Sequence, residues 1–185
     1  IETPHSDPVH KISILPRGMA LGYTLQLPLE DKHLISKEEI KTQITILMGG
    51  RAAENIMFKE ITSGASNDIE KATKIARNYV CKFGMSKLGA RKYGQSNSQI
   101  FLGKDYSNDS KDYSESTAKE IDSEIKKLID LCYNKAENIL NKNINGLKDL
   151  AKILIEKEVI EGPEFENLFE TMKKTTKKTI KSRKT

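Results

Sequence analysis

Histidine and carboxylate side chains are the first candidates for chemistry in this chain, because both are common zinc ligands in proteins. The sequence contains three histidines, His5, His10 and His33. Pro8 separates the first two, so they cannot share one helical face, and His33 lies in a separate polar turn. No Glu stands in a His-Glu-x-x-His arrangement, which would place two ligands and a general base together. The three histidines alone are therefore not expected to form a zinc site.

Asp68 is the carboxylate with the most distinctive setting. It follows a loop of small residues, Thr62-Ser-Gly-Ala-Ser-Asn67, and falls in the first turn of a predicted helix. An acid there interacts favourably with the helix N-terminus, beside a cap from Ser66 or Asn67, and most such residues do nothing more. The alternative is a carboxylate ligand aimed at a metal that another element completes. The residues alone favour the structural role and leave the ligand role open.

The elements that position these residues are predicted to be mostly helices, because apolar residues recur at helical spacing. Ser36-Lys-Glu-Glu39 is a capping box, which predicts a helix start at Ser36. Gly49-Gly50 predicts either a break or the close approach of another segment, and we favour close approach. Further helices are predicted from Asp68 to Phe83, from about 113 to 141 (the longest), from 147 to 156 after a break at Asn145-Gly146, and from Gly162-Pro163 onward.

Two short strands are predicted near the N-terminus, where apolar residues alternate over 9–15 and 20–27. The intervening Pro16-Arg-Gly18 is either an ordinary turn or shapes a hairpin whose edge strand could pair with an extended peptide. Residues 85–112 are predicted to be irregular. The fold class is therefore mainly α, with a small β-hairpin near the N-terminus and a long helix in the second half.

The net charge of +5 is concentrated at the C-terminal end. From Lys173 to Thr185 there are seven basic residues and no acid, and removing these seven leaves 24 basic against 26 acidic residues. No aromatic residue interleaves the basic ones, so nucleic-acid binding is not predicted. We expect a disordered, solvated tail, with binding to anionic lipid as the weaker alternative.

Cys81 and Cys132 fall on the apolar faces of predicted helices and lack the paired spacing of a zinc or redox motif. Buried, reduced thiols are expected, with a disulfide as the less favoured alternative. No segment approaches the roughly 20 apolar residues of a membrane span, so the chain itself is predicted to be soluble. The first eight residues are typical of a connector, and a preceding segment is therefore expected.

Four sequence blocks give the chain its resemblance to a known family. They are Asp-Pro-Val-His-Lys-Ile-Ser-Ile-Leu-Pro-Arg-Gly (7–18), Gly-Gly-Arg-Ala-Ala-Glu (49–54), Thr-Ser-Gly-Ala-Ser-Asn-Asp (62–68) and the following helix to Phe-Gly-Met-Ser (83–86). In this order they resemble the peptidase domain of the FtsH family of membrane-anchored, ATP-dependent zinc metalloproteases. Residues 1–172 are accordingly expected to be such a domain without its first zinc-ligand helix, and 173–185 a separate tail.

The resemblance carries expectations for the zinc site. In this family a His-Glu-x-x-His helix supplies two zinc ligands and the catalytic Glu, and a more distant Asp completes the site. The residue that matches this Asp is Asp68. The resemblance places the His-Glu-x-x-His helix, with its general base, shortly before Ile1. With one of three ligands present, the chain alone is expected to bind zinc weakly or not at all and to be inactive.

The resemblance also implies partners. The parent enzyme would degrade membrane and soluble proteins for quality control, as a homo-hexamer with ATP and Mg²⁺ at a separate AAA module. It would be anchored through its N-terminus in the cell inner membrane, with this domain on the cytoplasmic side, or in an organellar equivalent. The alternative from another class is a non-catalytic helical oligomerisation or scaffold module derived from the family.

Overall fold

The computed structural model describes residues 3, 5–16, 18, 22–27, 34–94 and 112–171. His33, the tail 173–185 and most of the segment predicted to be irregular lie outside these residues. The chain divides into two compact units, which we call the terminal unit (residues 1–34 and 139–185) and the central unit (residues 35–138). Each is described by itself.

Along the chain, the described part has two strands, then five α-helices, then a third strand and a final helix. They are β1 (Val9–Ser13), β2 (Tyr23–Gln26), α1 (Lys37–Leu47), α2 (Gly49–Phe58), α3 (Ser66–Arg77), α4 (Glu115–Lys142), α5 (Ile144–Lys157), β3 (Val159–Glu161) and α6 (162–171). A 3-10 turn, Ser63–Ala65, precedes α3, and one π-helical turn, Asn78–Lys82, follows it. The predicted fold class, mainly α with an N-terminal hairpin and a long helix in the second half, is confirmed.

The terminal unit contains a three-stranded antiparallel sheet in the order β2-β1-β3. Ile12 of β1 is opposite Ile160 of β3, whose side chain is fully buried, and Lys11 forms an ion pair of 2.8 Å with Glu161. The hairpin of β1 and β2 was predicted from alternation. The third strand was not, because three residues are too few to show a period-two pattern.

The central unit is organised around the buried face of α1. The capping box at Ser36 is confirmed: its hydroxyl accepts from the Glu39 N–H at 3.2 Å, and the Glu39 carboxylate accepts from the Ser36 N–H at 2.8 Å. Helix α1 packs against α3. Its contact with α4 includes the Cys132 thiol, whose Sγ lies 3.5 Å from the Lys41 carbonyl oxygen. The buried apolar residues of these three helices are Ile40, Ile44, Ala72, Ala76, Ile121, Leu128, Cys132 and Ala136.

Two predicted breaks differ from the structure. The close approach favoured at Gly49-Gly50 is wrong, because a Cβ built at either glycine would meet no atom of a described residue within 4 Å. The two glycines instead begin α2, directly after the chain leaves α1 at Met48. The break expected at Asn145-Gly146 lies at Asn143, and both residues belong to the first turn of α5.

The two cysteines are free and buried, as predicted. Burial raises the pKa of the Cys132 thiol, although a hydrogen bond with Thr45 and the nearby charges of Lys135 and Lys41 act in the opposite direction. Burial likewise raises the pKa of Cys81. Within the part of the chain that the structure describes, no helix is long and apolar enough to cross a membrane.

Gly162 should be the glycine of the terminal unit that tolerates a side chain least. A Cβ there would overlap the Val9 carbonyl oxygen and lie 3.2 Å from the His10 carbonyl oxygen, so backbone would have to move. We expect Gly162→Ala to lower the free energy of unfolding by about 1–3 kcal/mol. Gly50→Ala is the control, because no atom of a described residue lies near a Cβ there, and it should instead stabilise by about 0.5–1 kcal/mol. Urea unfolding monitored by circular dichroism measures both, and equal midpoints would contradict the close contact.

The raised pKa of Cys132 predicts how stability depends on pH. The folded state holds the thiol proton more tightly than the unfolded state, so this contribution is complete below the unfolded pKa, about 8.5. It is lost as the pH rises through the folded pKa. The difference in unfolding free energy between the wild type and Cys132→Ala should therefore shrink between pH 7.5 and pH 10, as measured by urea unfolding. A constant difference would show that burial does not hold the proton.

Candidate functional site

Asp68 lies in the first turn of α3, as predicted, with a side chain of intermediate exposure. No described residue forms a side-chain hydrogen bond or an ion pair with its carboxylate. The helical backbone fixes its position at the start of α3, where the positive end of the helix dipole favours a negative charge. The backbone of α3 thus sets where the side chain of Asp68 starts, and none of the described residues is bonded to its carboxylate oxygens.

The cap predicted for this helix is wrong in detail. Ser66 and Asn67 belong to the helix itself, and the residue at the cap position is Ala65, which has no side-chain hydrogen bond to offer. The 3-10 turn before the helix instead provides a hydrogen-bond acceptor for a backbone N–H at the helix start, because the Ser66 N–H donates to the Ser63 carbonyl oxygen. The Ala65 side chain is buried, with 6% of its surface exposed, and the turn contacts α2 and α3.

Thr62 caps this 3-10 turn. Its Oγ1 accepts a hydrogen bond from the Gly64 N–H at 3.1 Å. The same hydroxyl donates to Oε1 of Glu54 at 2.8 Å, and the Thr62 N–H lies 3.5 Å from Oε2 of that carboxylate. Glu54 belongs to α2, so a side chain of the preceding helix is bonded directly to the loop that leads to Asp68.

The neighbour of Glu54 ties the same helix to α4. The Asn55 side-chain amide donates to Oε1 of Glu137 at 2.9 Å, and the Tyr133 hydroxyl donates to the same oxygen at 3.3 Å. Burial, followed by the negative charge of Glu137, raises the pKa of Tyr133. Consecutive residues of α2 therefore contact two different parts of the central unit, Asn55 the long helix and Glu54 the loop.

The histidines occupy separate positions. His5 is exposed and has a positive φ of 65°, and His10 is an exposed residue of β1. Both belong to the terminal unit. Over residues 34–94, 112–171 and the shorter described stretches, no group of three or more His, Cys, Asp or Glu side chains could hold a metal ion. The described residues thus include Asp68 but no group that completes a metal site around it.

Sequence reasoning proposed Asp68 as a site residue and did not predict the hydrogen-bonded pair Glu54–Thr62. Both residues stand in blocks that carry the family resemblance, Gly49–Glu54 and Thr62–Asp68. Their spacing crosses the end of α2 at Phe58 and a left-handed residue at Lys59, so neither helical nor strand periodicity brings them together. The only sequence signal available was the acid at the end of the first block.

Comparisons with known proteins agree with one another. Residues 1–168 match the model of peptidase family M41. The chain is 51% identical over 170 residues to the ATP-dependent zinc metalloprotease FtsH of Pseudothermotoga lettingae, covering 91% of this chain and 27% of the relative. It is 50% identical over 167 residues to the protein of the same name from Thermotoga maritima, covering 89% and 27%. The chain therefore spans about a quarter of the length of these relatives.

Proposed function

Since the chain belongs to peptidase family M41, we propose that it forms part of an ATP-dependent zinc endopeptidase that degrades membrane and soluble proteins. The family match and the names of the relatives support this proposal. Within it, residues 1–172 are part of the peptidase domain and residues 173–185 are a tail. The proposal concerns the whole protein, of which this chain is the part that carries Asp68.

Asp68 is proposed to be one zinc ligand of that enzyme. The observation that carries the assignment is a carboxylate in the first turn of α3 with no hydrogen-bond or ion-pair partner among the described residues. A catalytic zinc site takes three protein ligands and keeps one position open. Asp68 fits one of the three, and a His-Glu-x-x-His helix of the whole protein would contribute the other two, together with a general base.

The zinc ion and Asp68 would have different roles in this site. When bound, zinc supplies Lewis-acid chemistry that polarises a peptide carbonyl and lowers the pKa of water toward neutrality. Asp68 contributes a negative charge and an oxygen atom from the first turn of α3, a regular element rather than an irregular one. Residues 1–185 alone, with one ligand, are not expected to bind zinc tightly or to cleave peptides.

The partners of the whole protein are further parts of the proposal. ATP and Mg²⁺ would bind at a separate AAA module, and six copies would assemble into a ring that feeds protein substrates to the zinc site. An N-terminal anchor would hold the ring at the cell inner membrane, with this domain on the cytoplasmic side, or at an organellar equivalent. Nucleic acid has no role in this proposal.

Substituting Asp68 tests the zinc assignment in the full-length protein. We expect Asp68→Ala to lose stoichiometric zinc and to reduce ATP-dependent casein hydrolysis by more than about 100-fold, since losing a ligand should exceed the 10–100-fold cost of losing a group behind one. Glu70→Ala is the matched control, because it removes an exposed acid from the same helix. Zinc content by mass spectrometry and casein cleavage are the two measurements.

The outcomes separate the candidate functions. Undiminished zinc content and hydrolysis in Asp68→Ala would overturn the ligand assignment. A wild-type protein that assembles but contains no zinc and cleaves nothing would favour the non-catalytic scaffold module. Loss of zinc in Glu70→Ala as well would show that any lost acid in this helix disturbs the site.

A further inference from the structure

Glu54 has no role in the zinc chemistry proposed above, yet its carboxylate is bonded to the loop that ends at Asp68. The two partners lie on different segments, because α2 ends at Phe58 and Thr62 follows it. The hydrogen bond of 2.8 Å between Glu54 Oε1 and Thr62 Oγ1 therefore ties the loop back onto the helix that precedes it. Hydrogen bonds to a charged group are among the stronger ones in proteins.

The direction of these hydrogen bonds is determined by their chemistry. A hydroxyl has one proton to donate, and an ionised carboxylate can only accept. The Thr62 proton therefore points to Glu54, which leaves the hydroxyl lone pairs facing the Gly64 N–H at 3.1 Å. Glu54 thus orients the hydroxyl that caps the 3-10 turn Ser63–Ala65.

Gly64 allows these three groups to meet. A Cβ at this position would lie 3.3 Å from Thr62 Oγ1 and 3.4 Å from Glu54 Oε1, which is tighter than most such contacts. The turn continues into α3 without an intervening residue, and Asp68 lies in the first turn of that helix. Residues 63–67, which connect Thr62 to Asp68, are in hydrogen-bonded turns. A displacement of Thr62 should therefore also displace Asp68.

We propose that Glu54 is a positioning residue for Asp68 and acts through the Thr62 hydroxyl. The proposal rests on the proposed function, in which Asp68 is a zinc ligand. Glu54 does not touch the metal in this arrangement. Its carboxylate fixes the loop, and the loop fixes where α3 begins and hence where the Asp68 oxygens lie.

The test is the zinc affinity of the full-length protein, measured by competition with a chromogenic chelator. Glu54→Ala and Thr62→Val should each weaken zinc binding about tenfold, the lower end of the range for groups behind a ligand. Thr62→Ser keeps the hydroxyl and should bind zinc like the wild type. Because both residues act through one hydrogen bond, the double variant should bind no more weakly than the weaker single variant.

Asn55→Ala is the matched control for a purely structural effect. It removes a hydrogen bond of 2.9 Å from the same helix, on the side that contacts α4. This variant should lower the urea-unfolding midpoint and leave the zinc affinity unchanged. Equal losses of zinc affinity in Asn55→Ala and Glu54→Ala would overturn the proposal, because Glu54 would then act through general stability.

Other outcomes separate this inference from the proposed function. If Glu54→Ala abolishes zinc binding while Thr62→Val does not affect it, Glu54 is a ligand and the positioning role is overturned. If both variants bind zinc normally while Asp68→Ala does not, the proposed function stands and the positioning role fails. A wild type without zinc overturns both. Should Glu54→Ala not fold, the comparison of Thr62→Val with Thr62→Ser decides.

Discussion

The packing of α1 against α3 and α4 is the interaction on which the rest of the central unit depends. Ile44 and Ala76 have no exposed surface, and Ile40 has 2%. Alanines on α3 let the helix backbones approach closely, and such a core resists changes of even one methylene group. The direction of α3 is consequently fixed by apolar contacts made well away from its N-terminus. This core thus sets the direction of the helix that carries Asp68.

The features that local chemistry determines could be predicted from the sequence. The capping box at Ser36 is complete within four residues, and the stripe of α4 repeats over enough turns to be unambiguous. Asp68 was placed in the first helical turn because the small-residue loop ends there. The expectation that it is a zinc ligand, in contrast, came from the resemblance alone, because a first-turn acid has the same local chemistry whether or not it binds a metal.

The features that depend on distant partners could not be predicted. Strand β3 consists of three residues and exists because β1 offers it hydrogen-bonding groups. The pair Glu54 and Thr62 meets because α2 ends with a left-handed residue, Lys59, that returns the chain toward the helix. The prediction of close approach at Gly49-Gly50 was wrong for a related reason. Glycine is compatible with open space and with close contact, and only the neighbouring segments distinguish the two. The sequence therefore predicted most individual segments but not the contacts between them.

The pairing of β1 with β3 has a consequence for synthesis of the chain on the ribosome. Residues 9–13 can pair with β2 soon after they are made, but a two-stranded hairpin is only marginally stable in water. Its second partner, residues 159–161, is translated after the whole central unit, and closing so long a loop carries an entropic cost. The three-stranded sheet can therefore form only after residues 159–161 are translated. All residues of the central unit have been translated by then. The order of translation favours completion of the part that carries Asp68 before the sheet closes.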